Sequence, residues 1–143
     1  MATNDQPLII ERTFDAPIDA VWTAITDREA MKQWFFDMEG FKPEVGCNFG
    51  FTHVGATVTR VHLCQIKELE KNRKISYSFR LGGNPGDSLV TFELFPEGNK
   101  TKLKLTHAGI GTFADPEQEW KNFSGGWNTL INTRLVEYLA YKN

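Results

Sequence analysis

Phe14-Asp-Ala-Pro-Ile-Asp-Ala-Val-Trp-Thr-Ala-Ile-Thr-Asp27 is the stretch of sequence that decides the fold. It follows a β-prone segment, residues 8–14, and its Pro17 suits the first turn of a helix, where no backbone N–H donor is needed. Apolar residues at i, i+3, i+4 and i+7 predict a short amphipathic helix: Ile18, Val21, Trp22 and Ile25. The spacing from Thr26 to Glu29 is that of a capping box, which predicts a second short helix carrying Met31 and Trp34. Two short helices directly after a strand predict a V-shaped brace under one end of a sheet.

A long amphipathic helix is predicted at the other end of the chain. Asp115-Pro-Glu-Gln118 combines a capping aspartate, a proline at the first helical position and a glutamine three residues after the cap. The predicted helix runs to about Tyr141, with one apolar stripe formed by Trp120, Phe123, Trp127, Leu130, Ile131, Leu135 and Tyr138. Gly125 and Gly126 interrupt it at about 1 kcal/mol each relative to alanine. We therefore expect that something packs closely against these glycines or that the helix yields there.

The middle of the chain is predicted to form strands throughout. Glycine, proline and polar turns divide it into segments that alternate apolar and polar residues, at about 47–53, 58–69, 74–81, 90–94 and 103–107. Consecutive strands joined by short turns predict an antiparallel meander with one buried face. The expected fold is therefore α+β, with a curved antiparallel β-sheet wrapped around the long C-terminal α-helix and a hollow between them.

Size and composition indicate one globular domain, residues 1–143, with residues 1–7 as a disordered tail. Hydrophobic residues make up 41% and charged residues 24%, close to the average for globular proteins. The net charge of -2 lacks the basic footprint of a nucleic-acid binder, so we expect no nucleic-acid partner. The 11 Phe, 4 Trp and 3 Tyr supply enough ring surface either to fill a core or to line a cavity.

The cysteines and the N-terminal residues indicate in which cellular compartment the protein is expected. Cys47 and Cys64 are far apart, no CxxC pair occurs, and the first seven residues lack the apolar centre of a signal peptide. No apolar run approaches the roughly 18 residues that a membrane span requires. We therefore expect a cytoplasmic protein with reduced thiols and no membrane association.

Four groups of residues together resemble the SRPBCC superfamily of START-like domains, and within it the activator of Hsp-90 ATPase homologue-like family. The first is Phe14-x-Ala-Pro-x-x-x-Val-Trp-x-Ala-x-Thr-Asp27 with Trp34. The second and third are Gln65-Ile-x-x-Leu-Glu70 with Ile75-Ser-Tyr-Ser-Phe79, and Thr101-x-Leu-x-Leu-Thr-His-x-Gly109. The fourth is Gly126-Trp127 with Leu135 and Tyr138-Leu139. The first and last groups are fairly specific, and together the four cover almost the whole chain in order.

This resemblance implies a helix-grip fold, also described as START-like or pollen-allergen-like, with a cavity that often takes apolar small molecules. It does not fix an activity, because relatives include lipid carriers, plant hormone receptors, polyketide cyclases and co-chaperones linked to the stress response. The eukaryotic co-chaperones carry an additional N-terminal module that engages the chaperone, and we expect no such module in these 143 residues.

The predicted ligand-binding residues are those expected on the inner surfaces of the sheet, the brace and the long helix: Trp34, Phe36, Phe51, Tyr77, Phe79, Phe92, Leu105, His107, Phe113, Trp120, Phe123, Trp127 and Ile131. Phe35 and Phe49 belong to the same aromatic group, which could equally be core. The candidate metal ligands are His53, His62, Cys64 and His107. We predict no metal, because zinc needs three or four converging ligands and only His62 and Cys64 form a close pair, on one face of a strand. No cofactor and no catalytic residue are assigned.

Two polar side chains on the expected inner face invite a chemical role. His107 and Tyr77 could act as acid and base on a carbonyl compound if the histidine has a near-neutral pKa, could orient a ligand, or could hydrogen bond to backbone or water at the cavity rim. Arg134 falls within the apolar stripe of the long helix, where it could extend to the surface, pair with a carboxylate or meet an anionic ligand group.

The leading hypothesis from the sequence is a binder of a hydrophobic or lipid-like small molecule, as a monomer or homodimer and more a carrier than an enzyme. One alternative is an interaction module that changes the ATPase rate of a chaperone. The other is a cyclase- or hydrolase-like enzyme that uses His107. In the leading hypothesis, Trp127→Arg is expected to abolish uptake of a hydrophobic probe and leave a folded sheet.

Overall fold

A computed structural model describes residues 6–54 and 59–142. Within these ranges six strands are present: β1 (Leu8–Phe14), β2 (Asn48–Val54), β3 (Thr59–Glu70), β4 (Lys74–Leu81), β5 (Ser88–Glu97) and β6 (Lys100–Ala108). The helices are α1 (Ile18–Thr26), α2 (Arg28–Trp34), α3 (Pro116–Thr129) and α4 (Leu135–Lys142). Most of the predicted tail and the predicted strand start at Val58 lie outside the described residues.

The sheet is antiparallel throughout, in the order β1-β6-β5-β4-β3-β2. The two edges are therefore formed by strands that are neighbours in sequence, and the brace helices α1 and α2 carry the chain from one edge to the other. A register shift between Ile66 and Glu68 places a bulge in β3, which bends the sheet at that point. The predicted meander with one buried face is confirmed, and the sheet curves around the C-terminal helix.

The brace helices begin one residue away from the predicted positions. Asp27, not Thr26, caps α2, because its carboxylate accepts a hydrogen bond from the Ala30 N–H at 3.0 Å. Thr26 instead ends α1, and its hydroxyl donates to the Trp22 carbonyl at 2.6 Å. Pro17 is the N-cap of α1, so the first helical residue is Ile18. Asp115 caps α3 as predicted, accepting from the Gln118 N–H at 3.3 Å.

The C-terminal helix contains one wider turn. A π-helical segment, Leu130–Arg134, lies between α3 and α4. Along the whole C-terminal helix, the buried residues Trp127, Ile131, Leu135 and Leu139 recur every four positions. A repeat of four lies between the 3.6 residues of an α-turn and the wider turn of a π-helix, so the π segment keeps these side chains in one line. The helix therefore departs from regular α-helical geometry, as the glycines suggested, but the departure lies about one turn after them.

The main core fills the space between the C-terminal half of this helix (residues 130–142) and the sheet. Leu103 and Leu105 on β6, Ile131 and Leu135 on the helix, and Val90 on β5 are all fully buried. Packing there is continuous, so the expected hollow does not run along the whole helix. None of the helices within the described residues is long and apolar enough to span a membrane.

Two glycines allow a test of where the chain is closely packed. A Cβ at Gly86 would overlap the ring of Phe113, whereas a Cβ at Gly125 would meet nothing within 4 Å. Gly86→Ala is therefore expected to lower the free energy of unfolding by about 1–3 kcal/mol, because the buried ring must move. Gly125→Ala is expected to raise it by about 1 kcal/mol through helix propensity. Urea denaturation of both variants checks the pair, and equal effects would contradict the packing described.

Candidate functional site

A pocket of about 600 Å³ lies between the helix and the β2–β3 side of the sheet. Its walls come from the end of α2, from β2, β3 and β4, and from one face of the C-terminal helix. The lining residues are Phe35, Phe36, Phe51, His53, Arg60, His62, Phe79, Asn122, Phe123, Gly125, Gly126, Trp127, Thr129, Leu130 and Arg134. Several of them are solvent-exposed, so the pocket opens to the surface along the helix. Its volume falls in the range of small-molecule sites.

Aromatic rings form the inner wall of this pocket. Phe36 stacks on Phe51 with ring centroids 4.6 Å apart, and Phe51 stacks on the His62 imidazole at 4.2 Å with an interplanar angle of 5°. Phe79 continues the wall and meets Phe123 edge-on at 5.8 Å. Such rings offer flat apolar surfaces for a guest, with stacked and edge-on contacts both available.

His107 and Trp127 join the helix to β6 beneath the pocket. The Trp127 indole N–H donates to Nδ1 of His107 at 3.0 Å. Nε2 of His107 lies 2.8 Å from the Ser88 hydroxyl, which itself donates to the Phe79 carbonyl at 2.6 Å. The hydroxyl must therefore accept from Nε2–H, and the imidazole is the neutral Nε2–H tautomer. The chain of three hydrogen bonds satisfies every polar atom of the histidine ring.

This arrangement contradicts the expected near-neutral pKa of His107. Burial lowers its pKa to about 3, with a smaller contribution from the charge of His62. A second proton on Nδ1 would also face the indole N–H donor. Tyr77 is buried too, and burial raises its pKa well above the usual value. Among the described residues, the rings in contact with His107 are Phe79, Phe123 and Trp127, not Tyr77. Acid–base catalysis by this pair therefore has no support.

A second histidine, His62, does face the pocket. It is buried on the inner face of β3 together with Cys64, as the alternation predicted. Burial, followed by the charge of Arg60, lowers the pKa of His62 to about 4. Its Nδ1 is buried and forms no hydrogen bond with the described residues. The polar edge of the pocket wall is therefore a neutral imidazole with one unused nitrogen.

An ion pair closes one end of the pocket. Arg60 on β3 pairs with Glu119 on α3, and the two side chains are only 22% and 11% exposed. The Arg60 guanidinium also lies over the Phe123 ring, 5.8 Å from its centroid. The pair thus connects the sheet to the first half of the helix.

The glycines in the helix border open space instead of a close neighbour. A Cβ at Gly125 or at Gly126 would meet nothing within 4 Å, and both residues line the pocket. The expected close packing at these positions is therefore wrong. Their effect is to leave volume beside the helix that larger side chains would occupy.

The structure brings five of the thirteen predicted residues to the pocket: Phe36, Phe51, Phe79, Phe123 and Trp127. The other eight lie elsewhere in the core or at its edge, and these are Trp34, Tyr77, Phe92, Leu105, His107, Phe113, Trp120 and Ile131. Trp34, for example, is fully buried and donates its indole N–H to the Ala24 carbonyl at 2.9 Å. Whether any of the thirteen contacts a ligand stays a prediction.

Sequence reasoning missed much of the polar lining. Arg60, Asn122 and Thr129 were not singled out, because a polar residue on a strand or helix gives no periodic signal of its own, and His53 was considered only as a metal ligand. Arg134 was identified from the sequence because it interrupts an apolar stripe, and it does line the pocket. Within the described residues, no group of three or more His, Cys, Asp or Glu side chains is placed to hold a metal.

Comparison with known proteins bears first on the family. The family model of the Activator of Hsp90 ATPase homolog 1-like protein matches residues 15–140. A comparison with curated proteins gives no match.

Solved structures resemble the chain over nearly its full length. Protein MLL2253 from Mesorhizobium loti is 25% identical, covers 96% of this chain and 99% of its own, and has a TM-score of 0.83. CalU16 from Micromonospora echinospora is 29% identical with a TM-score of 0.75, over 95% of this chain and 77% of its own. DynU16, described as a putative protein in the dynemicin biosynthetic locus, is 20% identical with a TM-score of 0.81, over 97% of this chain and 49% of its own. The last likeness bears on fold alone, and the predicted helix-grip class is confirmed.

Stability should depend on pH through the two buried histidines. Each pKa is lowered in the folded state, to about 4 for His62 and about 3 for His107, from 6.5 when unfolded. Their contribution is complete above pH 6.5 and is lost as the pH falls, because the unfolded chain then binds protons that the folded chain excludes. For each of the two histidines, we expect the free energy of unfolding to be about 2 kcal/mol lower at pH 5 than at pH 7.

Urea denaturation at several pH values measures this loss. His62→Phe keeps a ring against Phe51 but removes one titrating group, so its stability should fall less steeply between pH 6.5 and pH 5. An unchanged slope in this variant would show that His62 is not held neutral by the fold.

Proposed function

Because the chain belongs to the family of the Activator of Hsp90 ATPase homolog 1-like protein, whose START-like architecture encloses space beside a helix, we propose that it binds a hydrophobic small molecule in the pocket under Gly125 and Gly126. The observation that carries this proposal is the 600 Å³ space walled by aromatic side chains. A guest in that space removes apolar ring surface from water, at about 25 cal/mol per Å².

Three features of the pocket support binding over tight packing. The rings of Phe36, Phe51 and Phe79 already hold one another in place, so little side-chain ordering is needed on binding. The helix glycines leave an entrance that any larger residue would narrow. Finally, both ring nitrogens of His107 are engaged in the core below, so this histidine is not available to a guest in the pocket.

Trp127→Arg is not a suitable test of this proposal. Trp127 is 3% exposed, and its indole N–H is a partner of His107. A charged side chain at this position would be buried without a partner and would unfold the protein. The expectation that the sheet survives this substitution assumed a tryptophan that only lines a hollow.

Gly126→Leu separates binding from stability. The new side chain fills the pocket from the helix, so the dissociation constant of the neutral fluorescent probe N-phenyl-1-naphthylamine should rise at least about tenfold, or about 1.4 kcal/mol. The free energy of unfolding should stay the same or rise by up to about 1 kcal/mol, since a glycine leaves the helix. Probe fluorescence and urea denaturation measure the two quantities.

Ala140→Leu is the matched control, because Ala140 is exposed on the same helix outside the pocket. It introduces the same leucine side chain, with one carbon less added than in Gly126→Leu and no change of charge, and should leave probe affinity at the wild-type value. If Gly126→Leu binds the probe as tightly as Ala140→Leu does, the pocket is not the binding site.

The family description favours a second candidate function, an interaction with a chaperone ATPase. The outer face of β3 carries two exposed apolar residues, Val61 at 44% and Leu63 at 50% exposure. They point away from the pocket, so a protein contact there would be independent of ligand binding. This surface would serve an Hsp90-type partner.

The two functions respond to different substitutions. In a titration against an Hsp90-type ATPase, this second function predicts a change in hydrolysis rate that Leu63→Glu removes and Gly126→Leu retains. A flat rate for the wild-type protein across the titration would exclude it.

A further inference from the structure

The ionisable side chains that line the pocket are all basic. Among the described residues these are His53, Arg60, His62 and Arg134, and no aspartate or glutamate lines the pocket. The chain as a whole has a net charge of -2, so this local bias runs against the overall composition. A pocket with basic groups at its rim and phenyl rings inside is suited to a ligand with the opposite charge at one end.

Arg134 is the cation that remains available. Arg60 is already neutralised by Glu119. Within residues 6–54 and 59–142, Arg134 forms no ion pair, although Glu137 lies only three positions further along the helix. Simple extension into water would explain an exposed arginine, but it would not explain a place on the pocket lining next to Leu130.

Within the described part of the chain, His62 is the other basic residue that lines the inner wall without an ion-pair partner. It lies on β3, whereas Arg134 lies on the C-terminal helix, so both elements that enclose the pocket carry a basic residue there. Nδ1 of His62 is itself buried, so Arg134 is the group that a charged ligand can reach.

We propose that the ligand is an amphipathic carboxylic acid, with a flat apolar body against the Phe36, Phe51 and Phe79 rings and its carboxylate on the Arg134 guanidinium. This inference rests on the proposed function, since it specifies the ligand class of the same pocket. The planar guanidinium matches a carboxylate with two parallel N–H donors, and such charge-assisted bonds are stronger than neutral ones.

Two pyrene probes that differ in one group provide the test: 1-pyrenebutyric acid and 1-pyrenebutanol. Their apolar bodies are the same, and only the acid carries a charge at pH 7.5. The wild-type protein should bind the acid about tenfold more tightly than the alcohol. That preference should fall as salt is raised from 0.05 to 0.5 M, because Arg134 is solvent-exposed, while alcohol binding should hold or strengthen.

Arg134→Gln should abolish the preference for the acid and leave affinity for the alcohol within about twofold. Arg134→Lys should retain part of the preference, because it keeps the charge but not the two-donor geometry. Arg80→Gln is the matched control: Arg80 is exposed on the outer face of β4, and its loss changes the net charge equally without touching the pocket.

The outcomes distinguish this inference from the proposed function. Equal affinity for acid and alcohol in the wild-type protein, or a preference that survives Arg134→Gln, overturns the carboxylate assignment while hydrophobic binding stands. If neither pyrene probe nor N-phenyl-1-naphthylamine binds, the proposed function fails as well. A preference lost equally in Arg80→Gln would assign it to overall charge and overturn the role of Arg134.

Discussion

The hydrogen bond from the Trp127 indole to Nδ1 of His107 is the contact on which the rest of the structure depends. It attaches the long helix to β6 at a buried point, where either partner alone would leave an unsatisfied polar atom. Ser88 completes the chain and fixes the tautomer of the histidine. With the helix held at this point, its C-terminal half packs continuously against the sheet. The open volume is thereby confined to the β2–β3 side.

This constraint divides the aromatic residues into two groups with different tasks. Trp34, Phe92 and Trp127 contribute bulk to a continuous core, and Trp127 also reaches the pocket as its floor. Phe36 and Phe51 instead stack as a wall that has protein on one side and open volume on the other. In this pocket the rings support one another through stacked and tilted contacts. Its polar groups, by contrast, are few and stand at its edges.

Apolar periodicity in the sequence was sufficient to predict the architecture. β4 begins and ends at the predicted residues, and the Asp115 cap forms as expected, because both depend on local chemistry. The site was less accessible to prediction. Leu105 and Phe79 both alternate in phase with their strands, yet one is core and the other is pocket wall, since periodicity gives the direction of a side chain and not what fills the space beyond it. His107 was placed on the correct face, but its partners come from β5 and from the helix, which no local pattern relates.

The π-helical turn restricts how this family member can change in length. It accommodates one more residue than an α-helix would need between Trp127 and Leu139. A chain that lost a single residue within 130–134 would wind as a regular α-helix and keep Leu139 toward the sheet, because about eleven residues at about 100° each make close to three full circles. A gain of one further residue would instead rotate everything after it by about 100° and take Leu135 and Leu139 out of the core. A one-residue loss within the last helix is therefore expected at the π segment, while other changes of length are expected in the hairpin loops, such as residues 82–87.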